Sequence, residues 1–178
     1  MYGMKGILEM AHIILKVNFP REIALASSLI LAFINVAINL VVLLVFISFN
    51  PVSPTFISIL YFIVILGVIF VLVYGLSFFT SIILVKLRDL EHIATLVMQL
   101  LFYATPIFYP LEILPERFQR IILLNPLTIL IQASRSAIIN GEIHYYVEVF
   151  LLFLISLILF LVGSQYFKKN VKRVAENF

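Results

Sequence analysis

Residues 56–85 read FISILYFIVILGVIFVLVYGLSFFTSIILV, a run that contains no charge. As an α-helix of about 30 residues rising ~1.5 Å each, it reaches ~45 Å, more than the ~30 Å of bilayer hydrocarbon. The uncharged turn Asn50-Pro51-Val52-Ser53-Pro54-Thr55 precedes it, and Lys86-Leu87-Arg88-Asp89-Leu90-Glu91 ends it. Upstream, Ile23 to Phe49 is a second apolar run long enough to cross with tilt. Downstream, the stretch from Leu90 to Pro106 offers about 16 residues, ~24 Å of helix, so the segment after it is expected to complete that layer. Val147 to Phe167 is the last run, followed by Lys168, Lys169, Lys172 and Arg173. The expectation is an all-α polytopic membrane protein with spanning helices at 23–49, 56–85, 90–106 and 147–167.

The composition of the whole chain agrees. It has 178 residues, of which 63% are hydrophobic and 12% charged, and a water-soluble domain of that size cannot hide so much apolar surface. With no cysteine there are no disulfides, thiolate metal sites or cysteine nucleophiles. His12, His92 and His144 are scattered at the predicted membrane surfaces, which suits interfacial roles better than ligation, so no metal site is expected. The glycines lie apart, and no Gly-rich loop precedes a Lys-Ser or Lys-Thr pair. If the protein uses ATP, a partner hydrolyses it. Paired catalytic carboxylates are missing from the spans, and no catalytic residue is assigned. The small net charge of +3 is unevenly placed and argues against a nucleic-acid partner.

Charge placement instead reports topology. Lys5, Lys16 and Arg21 precede the first span, Lys86 and Arg88 lie in the middle loop, and four basic residues follow the last span. Arg117, Arg120 and Arg135 alone fall on the opposite side. The positive-inside bias then puts both termini and the Lys86 loop in the cytoplasm and residues 107–146 outside. Residues 1–22 form a cytoplasmic segment in which Ile7, Leu8, Ala11, Ile14 and Leu15 recur at helical spacing, as in an amphipathic surface helix broken at Pro20. Met1 to Pro20 lacks the features of a cleavable signal peptide, so uncleaved spans direct insertion.

The proline-rich stretch after Pro106 reads as a re-entrant helical hairpin. Pro115 can open a short helix through Leu124. In a second helix Asn125 is the N-cap, Pro126 the first residue and Asn140-Gly141 the stop. That helix carries Arg135 in a segment too brief to span. Glu112 or Glu116 could pair with it, and a phosphate group could compete for the guanidinium through paired hydrogen bonds. Within the spans, Ser28, Ala32, Asn35 and Asn39 share one face, as do Thr95, Gln99 and Tyr103. Two readings stay open for these faces: a polar conduit wall, or hydrogen bonds between helices. Gly67, Gly75 and Gly163 are read as close-packing points. Phe102, Tyr103, Phe108 and Tyr109 suit an aromatic belt or sugar stacking, and Tyr145 and Tyr146 a belt.

Three elements in order carry a resemblance over essentially the whole chain. They are Lys16-Val17-Asn18-Phe19-Pro20-Arg21-Glu22-Ile23, then Arg88-Asp89-Leu90-Glu91-His92-Ile93, then Pro106-Ile107-Phe108-Tyr109-Pro110-Leu111-Glu112-Ile113-Leu114-Pro115 with Leu124-Asn125-Pro126-Leu127-Thr128. Together they resemble the permease subunit of type 2 ABC exporters, in the branch that exports polysaccharides and polyol phosphate polymers. The match is to the C-terminal two-thirds of a subunit, since family members carry two further spanning helices ahead of the first element. The resemblance implies a homodimer of permease subunits in the prokaryotic plasma membrane, two ATPase subunits holding ATP and magnesium, and a lipid-linked glycan as cargo. It implies coupling to the ATPase at Asn18, Phe19, Pro20, Arg21 and Glu22, with Arg88 and Asp89 in the counterpart loop. Gating is implied at Pro106, Tyr109, Pro110, Pro115, Asn125, Pro126 and Arg135, to which Gln99, Tyr103 and Phe108 add a substrate path. An exporter of drugs or small amphiphiles, and a non-transporting assembly or regulatory subunit, are the rival readings.

Overall fold

The computed structural model describes residues 21–50, 52, 54–87 and 89–174, all helix, turn or loop, with no strand among them. The order is α1 (Arg21–Phe49), α2 (Phe56–Lys86), α3 (Leu90–Ala104), a single 3₁₀ turn at Leu111–Ile113, α4 (Glu116–Ile122), α5 (Pro126–Arg135) and α6 (Tyr146–Val174). A π-helical turn, Ser136–Asn140, continues α5. Helices α1, α2 and α6 have 29, 31 and 29 residues and are the three described helices long and apolar enough to cross a membrane. Helix α6 outruns the expected 147–167 because Lys168 and Lys169 continue the same helix.

The third expected span falls short. Helix α3 has 15 residues, ~22 Å, because a proline at 106 disfavours helical backbone at Thr105. Thr105 closes the last turn by donating its Oγ1 hydroxyl to the Leu101 carbonyl. A fourth span is reached only by counting α4 with the helix from Pro126 to Asn140, a pair bent by 104°.

Two compact units divide the chain, and α2 and α6 run through both. One takes the described residues of Met1–Asn50, Phe70–His92 and Ile155–Phe178. Its core joins Leu25 and Leu29 of α1, Phe78 and Ile82 of α2, and Phe167 of α6, with Tyr74, Phe160 and Tyr166 packed against them. Residues 70, 74 and 78 lie one turn apart on α2, so Phe70, Tyr74 and Phe78 form a ladder of rings. Phe160 meets Tyr74 and Phe78 edge-on at centroid distances of 5.2 and 5.6 Å, the geometry that aromatic quadrupoles favour.

Glycines let α2 and α6 approach this closely. A Cβ at Gly75 would lie 2.9 Å from the Phe160 nitrogen, and one at Gly163 would lie 2.9 Å from the Gly75 carbonyl oxygen. Gly67 departs from the expectation: a Cβ there meets nothing within 4 Å among the described residues. Two of the uncharged polar side chains of α1 are satisfied inside their own helix. Asn39 Nδ2 donates to the Asn35 carbonyl and Ser48 Oγ to Leu44, and both asparagines are exposed.

The other unit takes the described residues of Pro51–Ile69 and Ile93–Leu154, and it contains the bent helix pair. Its buried residues include Thr105, Pro106 and Leu111 ahead of the pair, and Thr128, Leu130, Ala133, Ser136 and Ala137 within it.

Candidate functional site

The bent pair is pinned by polar contacts of two residues. Asn125 sits in extended backbone as the N-cap of α5, and its Oδ1 accepts the Leu127 amide at 3.0 Å. Pro126 at the first helical position loses no hydrogen bond, since that amide has no helical acceptor. The same Asn125 side chain donates through Nδ2 to Thr105 Oγ1 at 3.1 Å, which ties the start of α5 to the end of α3. One amide thus serves a local cap and a contact 20 residues away.

Arg135, in the last turn of α5, makes the second tie. Its Nη2 donates to the carbonyls of Ile107 at 2.9 Å and Pro106 at 3.3 Å. Carboxylates of Glu112 or Glu116 were the expected partners; two main-chain carbonyls take this nitrogen instead. The Glu112 side chain lies outside the described residues, and Glu116 is exposed at the start of α4. Pro106 is almost fully buried, so its carbonyl needs a donor, and the guanidinium supplies one to it and its neighbour together.

Beyond Arg135 the helix widens into the π turn and stops at Gly141, whose φ of 69° is the left-handed backbone that glycine adopts without a Cβ clash. Tyr145 also has positive φ, at 61°, where a side chain is strained. A cavity of about 340 Å3 opens here, lined by Gln132, Arg135, Asn140, His144 and Tyr145 among others. The His144 ring nitrogen Nε2 lies 2.8 Å from Glu142 Oε2, and the His144 carbonyl accepts the Tyr61 hydroxyl at 2.8 Å. Among the described residues the buried Gln132 Nε2 has no hydrogen-bond partner, nor has the buried Thr128 Oγ1 one turn earlier. Buried polar atoms are rarely left so.

The structure brings together some of the residues named from sequence and leaves others apart. Pro106 and Arg135 are in contact, Asn125 and Pro126 start the helix that carries Arg135, and Pro110 lines the cavity. Phe108 is 81% exposed and meets Phe102 edge-on, while Tyr109 donates its hydroxyl to the Tyr103 carbonyl at a long 3.4 Å. Gln99 and Tyr103 are exposed on α3, a helix with no buried residue, and Pro115 is the exposed residue ahead of α4. Of the coupling set, Asn18, Phe19, Pro20 and Arg88 lie outside the described residues, as does the amphipathic segment before them. Arg21 and Glu22 fall in the first turn of α1, their side chains outside the described set, and Asp89 is exposed between α2 and α3. The sequence reading did not single out Gln132, Asn140 and Thr105 as site residues. A signal was there for the first: Thr128, Gln132 and Ser136 recur every fourth residue, a polar stripe along one face.

Three long apolar helices and a sharply bent helix pair with a buried polar face define a multi-pass membrane protein. Residues 8–139 match the family model described as ABC-2 type transporter, and the chain belongs to that family. It is 33% identical over 169 residues to the O-antigen export system permease protein RfbA of Klebsiella pneumoniae, covering 93% of this chain and 64% of the relative. A protein of the same name from Myxococcus xanthus is 25% identical over 177 residues, 98% of this chain and 68% of that protein. The chain thus spans a little under two thirds of the Klebsiella relative's length.

Proposed function

We propose that this chain is the membrane-spanning part of a permease in an ATP-driven exporter that moves a lipid-linked polysaccharide, or a polyol phosphate polymer, out across the plasma membrane. The relatives named as O-antigen export permeases support the cargo class. One observation carries the mechanism: Arg135 clamps the bent helix pair to the carbonyls of Pro106 and Ile107. In this reading the termini and the Lys86 loop are cytoplasmic, and the bent pair lies on the outer side as the gate. Helix α3 and the segment after it together fill the layer that α3 is too short to cross alone.

The chain's own residues then divide the work. The Asn18 to Glu22 segment and Arg88-Asp89 receive the motion of an ATPase partner, which holds the ATP and magnesium. A second permease copy completes the conduit. Release of Arg135 from its two carbonyls lets the pair swing, because those bonds are contacts that a closed gate has and an open one lacks. The arginine also matches passing phosphate, whose oxygens accept from the same fork.

Replacement of Arg135 in the chromosomal gene tests this, with surface polysaccharide and membrane ion leak as readouts. Arg135→Ala lowers export or leaves the membrane leaky at normal expression. Arg135→Lys restores it only in part, since one ammonium cannot reproduce the planar fork. Wild-type export with a tight membrane in the Ala variant overturns the gate assignment.

A further inference from the structure

A second, apolar groove lies in the same unit as the polar cavity. It encloses about 330 Å3 and is lined by Tyr61, Val64 and Val68 of α2 and by Tyr146, Val149 and Phe150 of α6, with Phe153 beyond. The two hollows meet along the chain. His144 and Tyr145 line the cavity, Tyr146 lines the groove, and the Tyr61 hydroxyl holds the His144 carbonyl between them. The left-handed backbone at Tyr145 is the bend between a residue serving one hollow and a residue serving the other.

Their chemistry differs in a way that fits one amphiphile. The cavity presents donors: the Arg135 guanidinium, the Gln132 amide whose buried Nε2 has no partner among the described residues, and Asn140. A buried amide donor without a partner calls for an acceptor, and a cation beside it favours an anionic one. Nη2 of Arg135 is taken by two carbonyls, and the guanidinium's other N–H groups have no partner among the described residues. The groove presents hydrocarbon, with Phe150 and Tyr146 exposed along it, at the start of two helices that cross the membrane. We propose that the pair of hollows holds one anionic phospholipid of the surrounding bilayer, its phosphate against Gln132 and Arg135 and an acyl chain in the groove between α2 and α6. A bilayer lipid, rather than the cargo's carrier, is the occupant because it is present in excess whether or not transport proceeds, and mass action fills the site. The bound lipid would cap the buried Gln132 amide, which has no partner among the described residues, and brace the clamp at Arg135.

The inference rests on the chain lying in a membrane, and its test is read without transport. The full chain is placed in phosphatidylcholine nanodiscs containing phosphatidylglycerol with a photoreactive diazirine in its acyl chain, and labelled peptides are mapped by mass spectrometry. Labels concentrate on residues 61–68 and 146–153, and Gln132→Leu lowers them roughly fivefold, the loss of one hydrogen bond. That variant removes a donor without a partner, so its unfolding midpoint stays level or rises, which separates lost binding from lost structure. Val64→Trp, at an exposed position in the groove, lowers labelling as well. Labelling spread evenly over the exposed faces of α1 and α6, or unchanged in Gln132→Leu, overturns the proposal. Displacement of the probe by inorganic phosphate would assign the cavity to a free anion. Displacement by polyprenyl phosphate but not by unlabelled phosphatidylglycerol would assign it to the carrier, and either result also overturns it.

Discussion

A methyl group added at Gly75 has no room. Its position is 2.9 Å from the Phe160 nitrogen and 3.0 Å from the Leu159 carbonyl carbon, both main-chain atoms of α6 that cannot rotate away. Non-bonded atoms settle near ~3.5–4.0 Å, so the two helices must part by about half an ångström. Parting them also pulls Gly163 off the Gly75 carbonyl and loosens the rings of Tyr74, Phe78 and Phe160. Overpacking of this kind costs about 1–3 kcal/mol. Against it, alanine is better than glycine in a helix by up to ~1 kcal/mol. The net expectation for Gly75→Ala is a destabilisation of about 1–2 kcal/mol, or roughly a 5- to 30-fold shift in the folding equilibrium. Gly67→Ala is the internal control: it lies on the same helix in open space, so only the favourable propensity change remains. Because Gly75 and Gly163 touch one another, the double alanine variant should cost less than the sum of the two single changes. Unfolding of the purified chain in detergent, followed by circular dichroism against rising dodecyl sulfate, measures all four. Equal midpoints for Gly75→Ala and Gly67→Ala would refute the close-packing argument.

The remaining predictions concern the bent pair and the topology. Asn125→Ala removes the α5 cap and the contact to Thr105, and should cost about 1–2 kcal/mol, read as faster amide exchange in residues 127–135. Asn125→Asp keeps the cap and loses only the donor to Thr105, so exchange as fast as in the alanine variant would show that the cap contributes nothing. Single cysteines can report sidedness directly in a chain that has none. A cysteine at Ile113 should react with an impermeant maleimide from outside and one at Lys169 only after the membrane is opened, and the reverse pattern sinks the proposed orientation.

Much of the architecture was legible in the sequence because a membrane imposes local demands. A spanning helix must be long and apolar along its own length, and residues 56–85 declare that without reference to anything else in the chain. The cap at Asn125 with Pro126 behind it, and the stop at Gly141, are likewise settled within a few residues, and the structure has both. Even the shortness of α3 was visible in the spacing between Leu90 and Pro106, although its end two residues before the proline made it shorter still.

What only the tertiary structure decided are contacts between residues far apart in the chain. Three glycines looked alike in sequence, yet Gly75 and Gly163 face main-chain atoms of another helix while Gly67 faces open space, because close approach depends on which side of α2 meets α6. The partner of Arg135 was sought among charges, since a cation in an apolar segment suggests an anion. The nitrogen that bonds instead reaches carbonyls 28 and 29 residues earlier in the chain, in a buried turn whose acceptors no residue pattern announces. Gln132 was one member of a polar stripe until burial removed its solvent and no acceptor among the described residues replaced it. Length, polarity and caps are properties of a segment and can be read along it; an unmet hydrogen bond is a property of what surrounds it, and exists only once the chain has folded.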